Sequence, residues 1–67
     1  MAEIINFKAF CLERYKHAHG MSGKEVLRLF KHYGVMDYIR DFYDVLHSFG
    51  YQYIVQDIDE FIEARKE

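Results

Sequence analysis

The chain has no proline and no tryptophan, a single cysteine, and no apolar run longer than the four residues from Ala9 to Leu12. Each absence excludes something. One cysteine, Cys11, cannot close an internal disulfide, so the staple of small secreted domains is missing and a reducing, cytosolic setting is expected. Four apolar residues fall far short of the roughly 20 that a membrane-spanning helix needs, and the start of the chain shows no basic stretch leading into an apolar segment. Neither insertion nor secretion is indicated. No repeat, low-complexity tract or linker divides the 67 residues, which read as one domain with room for one core, at the small end of what folds alone.

What is present is an excess of large apolar side chains. Six Phe and six Tyr contribute to an apolar fraction of 51%, more than so small a core can enclose, so part of it is expected to face a partner. Charge is unevenly spread. Residues 1–35 carry Lys8, Arg14, Lys16, Lys24, Arg28 and Lys31 against Glu3, Glu13 and Glu25. Residues 36–67 carry only Arg40, Arg65 and Lys66 against eight carboxylates. The net charge of −2 argues against a general phosphate-binding surface.

Without proline, the glycines and polar caps punctuate the chain. Gly20, Gly34 and Gly50 each follow a stretch of helical periodicity and are positioned to close a helix in the left-handed conformation. The first helix is predicted over about 3–19, with Ile4, Phe7, Cys11, Tyr15 and Ala18 forming a stripe that Phe10 widens. The second, 22–33, has the clearest start. Ser22 and Glu25 make a capping box, and Met21 and Val26 a hydrophobic staple. At its end Val35 is placed to fold back on Phe30 in a Schellman closure. A third helix, 37–49, is predicted with Asp37 as cap and a broad apolar face, stopped by Gly50 with Tyr51 packing on Leu46. Residues 51–56 alternate Tyr51, Tyr53 and Val55 with Gln52 and Gln56, a period-two pattern that reads as extended over a run too short to decide between strand, helix and loop. Asp57 and Glu60 form a second cap pair for a last helix over 57–66. The fold class expected is all-α, a small bundle of about four helices.

The residues that carry chemistry elsewhere have structural readings here. No two histidines fall at the i, i+3 or i+4 spacing that gives one helix face two metal ligands, and all four lie near a helix-stopping glycine, where they complement free carbonyls. No metal or other cofactor is expected. Cys11 sits on the apolar stripe between Phe10 and Leu12, as a buried thiol does, and Ser22 is a cap. The segment from Met21 to Glu25 lacks the upstream strand and first glycine of a phosphate-binding loop. No enzymatic activity is expected.

Two helices joined by Gly34 and Val35 have the outline of a helix-turn-helix, but the second presents Asp37, Asp41 and Asp44 with only Arg40, and carboxylates are repelled by phosphate. The stripe of Lys24, Arg28 and Lys31 keeps a DNA-binding regulator as an alternative. Opposed half-charges make a self-associating module another. The reading favoured is a non-enzymatic protein-interaction module in which Tyr38, Tyr43, Tyr51 and Tyr53 supply contact area, while Asp37, Asp41 and Asp44 steer a basic partner surface.

One resemblance covers nearly the whole chain. It is carried by Ser22, Gly23, Lys24, Glu25 and Val26, then Leu29 and Phe30, Tyr33, Gly34 and Val35, and Asp37, Tyr38 and Ile39. Further on it is carried by Leu46 and His47, Gly50, Tyr53, Ile54 and Val55, Asp57 and Ile58, and Phe61 and Ile62. This pattern of caps, stops and core positions resembles a family of small uncharacterised bacterial proteins classed as a domain of unknown function. The resemblance implies no activity. The resemblance implies a setting in which relatives are often encoded beside proteins that look like ADP-ribosyltransferases, and so an antitoxin or accessory partner of a co-encoded toxin-like enzyme.

Overall fold

A computed structural model describes residues 2–49 and 53–66. They form five helices and, among the described residues, no strand: α1 (Ala2–His19), α2 (Gly23–Tyr33), α3 (Val35–Asp41), α4 (Tyr43–Phe49) and α5 (Ile54–Arg65). The molecule measures 28 × 23 × 20 Å. Helix α1 lies against α2, α3 and α5, and the core is the space they enclose. It contains Phe7, Cys11 and Tyr15 from α1, Val26 and Phe30 from α2, and Val35 and Ile39 from α3, with Leu46 from α4 and Ile54, Ile58 and Ile62 from α5. Every step between them within a helix is four residues, so each helix turns one stripe inward. The all-α expectation is met, with five helices where about four were predicted.

Local chemistry accounts for α2 and for the end of α1. Ser22 Oγ accepts from the Glu25 N–H at 3.2 Å, while Glu25 accepts from the Ser22 N–H at 2.9 Å, which satisfies two otherwise orphaned donors. The Ser22 N–H first, and then its hydroxyl, hold the Glu25 carboxyl below its ordinary pKa. At the end of α1, Gly20 has φ +59 and the Met21 N–H reaches back to the Lys16 carbonyl at 3.1 Å, the long bond of a Schellman closure. Gly34, φ +71, closes α2 differently. Its N–H bonds the Phe30 carbonyl, the single bond of the simpler left-handed cap, in place of the predicted Schellman pair. Val35 and Phe30 are both fully buried.

Three expectations are corrected beyond Gly34. The carbonyl of Gly34 accepts from the Tyr38 N–H at 3.1 Å, so α3 has already begun at Val35. Asp37 therefore lies in its first turn, where a carboxylate still favours the helix dipole, and is not the cap. The predicted helix 37–49 is broken at Phe42, whose φ −112 and ψ 23 leave the helical region, into α3 and α4. Neither proline nor glycine lies there. Packing is the remaining cause: the turn sets the Tyr43 ring edge-on to Phe7 of α1 at 5.5 Å while Ile39 stays in the core.

Finally, residues 54–56 are helical, not extended. The Asp57 N–H bonds the Tyr53 carbonyl at 2.8 Å, which places Asp57 inside the first turn of α5 and leaves Tyr53, not Asp57, at the cap position. The alternation of Tyr51, Tyr53 and Val55 concealed a stronger helical series, Ile54, Ile58 and Ile62, all buried. Gly50 and Tyr51, read as the stop of the third helix and its apolar closure, lie outside the described residues, as does Gln52.

Candidate interaction surface

Two clusters of aromatic and charged side chains stand out from the core, and they differ in how far their polar groups are used. The first joins α1 to α5. Tyr15 is buried in the stripe of α1, its ring edge-on to Phe30 at 5.2 Å, and its hydroxyl donates to Asp59 Oδ1 at 2.7 Å. His19, one turn later, stacks on Tyr15 at 4.2 Å and brings Nε2 to 3.1 Å from Asp59 Oδ2. Burial, then the bond to Asp59 and its charge, push the Tyr15 hydroxyl well above its ordinary pKa.

A groove of about 760 Å³ opens beside this corner, lined also by Leu29, Val55, Gln56, Glu60, Ile62, Glu63 and Lys66. Its polar groups serve one another. Both Asp59 oxygens are engaged, Gln56 donates to Glu60 at 3.1 Å, and Lys66 sits 3.3 Å from Glu63. No serine, threonine or cysteine lines it to act as a nucleophile. The corner ties two helices together. Sequence reasoning placed His19 at a helix end facing carbonyls; the structure gives its ring to a carboxylate 40 residues away.

The second cluster spans α3 and α5 and holds part of the predicted interaction set. Tyr38 stacks on Phe61 with ring centroids 4.2 Å apart, and Phe42 leans on Tyr38 at 5.3 Å. The guanidinium of Arg65 covers Phe61 at 4.2 Å. Tyr33 and Gly34 complete a shallow groove of about 270 Å³ whose edge carries Asp37 and Asp41. Arg40 bridges these two carboxylates, with Nη1 at 3.3 Å from Asp37 and Nε at 3.0 Å from Asp41. On the opposite side, Asp57 and Glu60 lie close enough to raise the pKa of the half-buried Tyr38 hydroxyl, after burial itself. Around these rings stand four carboxylates and two guanidinium groups, so the surface is acidic.

Beside it the apolar surface continues. Phe42 is 52% exposed and Val45, three residues on, is 57% exposed, while the Leu46 N–H to Phe42 carbonyl bond of 2.9 Å keeps this stretch in a helical turn.

The structure thus brings Tyr38, Asp37 and Asp41 together and separates the others. Tyr43 is turned to α1, stacked with His47 at 4.9 Å and edge-on to Phe7. Asp44 lies in the first turn of α4, beyond the break, and does not continue the line of Asp37 and Asp41 on one helix. Tyr53, 59% exposed, caps α5. Tyr51 lies outside the described residues. Phe42, Phe61 and Arg65 were missed as surface residues. A signal was available: Tyr38 with Phe42 and Phe61 with Arg65 are i, i+4 pairs, which share a helix face.

Two further tests of the site come from the described residues. No three His, Cys, Asp or Glu side chains converge closely enough to hold a metal ion, and no helix is long and apolar enough to cross a membrane. Cys11 is enclosed in the core, and burial pushes its thiol pKa up to about 12, away from the reactive thiolate.

Comparison with known proteins agrees in reach with the pattern of caps and core positions. Residues 6–65 match the profile of a family described as protein of unknown function (DUF3791). No curated protein and no solved structure matches the chain.

Proposed function

Since the chain belongs to DUF3791, a family whose description assigns no activity, we propose a function from its surface: it is a non-enzymatic protein-interaction module that docks a basic, apolar-bearing partner on the α3–α5 face. The observation that carries this reading is the exposed Phe42 beside the stacked pair Tyr38 and Phe61, ringed by Asp37, Asp41, Asp57 and Glu60. Aromatic groups half-embedded in a rigid helical surface lose little entropy when covered, and they dominate the energy of many interfaces. The surrounding acids would draw a partner of opposite sign and set its orientation.

The finer reading, neutralisation or regulation of a co-encoded toxin-like enzyme in the cytosol, rests on the resemblance and supplies the first partner to try. The test is co-expression of the tagged full chain with the product of the neighbouring gene. Recovery of both in constant proportion, lost in Tyr38→Ala and Phe42→Ala variants that remain helical, is the expected result. If the two proteins elute apart, the toxin-partner reading fails. If they stay together regardless of both substitutions, the α3–α5 face is the wrong surface.

A further inference from the structure

The acidic aromatic face calls for a helix that is basic at its flanks and apolar at its centre, and the chain itself displays one. On α2, Lys24, Leu27, Arg28 and Lys31 fall at i, i+3, i+4 and i+7, a single outward stripe opposite buried Val26 and Phe30. All four are exposed, and Leu27 in their midst is 42% exposed. Among the described residues, none of the three cations is in an ion pair within 4 Å. Glu25, one turn before Arg28, feels its charge.

We infer that a second copy of this chain docks its α2 stripe on the α3–α5 face, with Leu27 against Phe42 and Lys24, Arg28 and Lys31 facing Asp37 and Asp41. The protein so covers its own partner-binding surface when alone. This rests on the reading of that face as a docking surface, and it makes self-association and capture of another protein compete.

Charge carries the argument further than apolar area does. Asp37 and Asp41 already share Arg40, so each carboxylate keeps acceptor capacity outward, and among the described residues no cation of the stripe has a carboxylate within 4 Å, Glu25 acting on Arg28 only from farther away. Opposed flanks also fix polarity. A copy approaching with its own acidic face would set carboxylate against carboxylate, which costs enough to suppress that arrangement.

Sedimentation equilibrium of the purified full chain tests this. Association is expected at low salt, and it should weaken as salt rises to about 1 M, where the screening length falls to about 3 Å. Two charge-reversed variants, Asp37→Lys with Asp41→Lys and Lys24→Glu with Arg28→Glu, are each expected to self-associate at least about tenfold more weakly. Mixed in equal amounts, they should associate again, because each then offers the other a matched pair of surfaces. That rescue cannot arise from damage to the fold.

A chain that sediments as a monomer at every concentration and salt overturns the inference, and so does association that ignores both reversals or variants that fail to rescue one another. None of these results touches capture of the neighbouring gene product, which reports on the docking face independently.

Discussion

The Tyr15 corner and the Tyr38 face use the same side-chain types to opposite ends. At the corner, the tyrosine ring is buried, its hydroxyl is consumed by Asp59, and His19 closes over it, so aromatic surface and polar tip both hold α1 against α5. At the face, Tyr38 and Phe61 stack on each other with Phe42 turned to solvent, and the nearby carboxylates pair with Arg40 on the same short helix. Both clusters join distant helices, but the first spends its polar tips on that link, whereas the second pairs Asp37 and Asp41 within α3 and is left open outward. Aromatic richness alone therefore does not mark an interface. What marks it is whether the ring's polar and apolar contacts are completed inside the molecule.

The sharpest break of this contrast is Phe30→Ala. It removes a fully buried ring beneath Tyr15, at an expected cost of about 3–5 kcal/mol, which in a domain this small should abolish the cooperative urea transition followed by circular dichroism. A transition that survives with its midpoint little changed would mean the core account is wrong.

Alkaline pH is the next largest perturbation. Burial raises the pKa of Cys11 from its ordinary 9.0 to about 12, and that of Tyr15 rises above its ordinary 10.0 for the same reason with help from Asp59. Both groups are held neutral in the folded chain, so their contribution is complete below pH about 9 and is lost as pH climbs from there toward about 12. The urea midpoint should fall over that window, and in Cys11→Ala the fall should begin nearer to pH 10, where only the tyrosine remains. A midpoint that stays level to pH 11 would contradict the burial of both groups.

Tyr15→Phe is a smaller change. It keeps the ring and deletes one hydrogen bond to a carboxylate, so a loss of about 1–2 kcal/mol is expected from denaturant titration. Least of all, Phe42→Ala should alter stability by no more than about 1 kcal/mol, because about half of the residue is already in water. The comparison fails if Phe42→Ala destabilises as much as Phe30→Ala does.

Legibility in the sequence followed the range of the interactions. The capping box at Ser22, the left-handed glycines 20 and 34, and the stripes of α1 and α2 were all readable, because each depends on residues within one or two turns. The apolar positions Ile58 and Ile62 were readable too, whereas Ile54 was hidden by a period-two pattern that six residues cannot distinguish from a helix. Tyr38, Asp37 and Asp41 were picked out as site residues from type and spacing. Their grouping with Phe61 and Arg65 was not, since that needs α5 to lie across α3.

By itself, then, the order of residues determined an all-helical chain, where two of its helices stop, which faces turn inward, and an excess of aromatic surface. Only the packed molecule decided that one tyrosine would lock two helices while another stayed open, that the chain would turn at Phe42, and that His19 would meet Asp59. The physical reason is that caps and stripes are settled by neighbours along the chain, at a cost in free energy that neighbours alone can offset. Bends and long-range pairs are chosen by what remains uncovered once the helices have found each other.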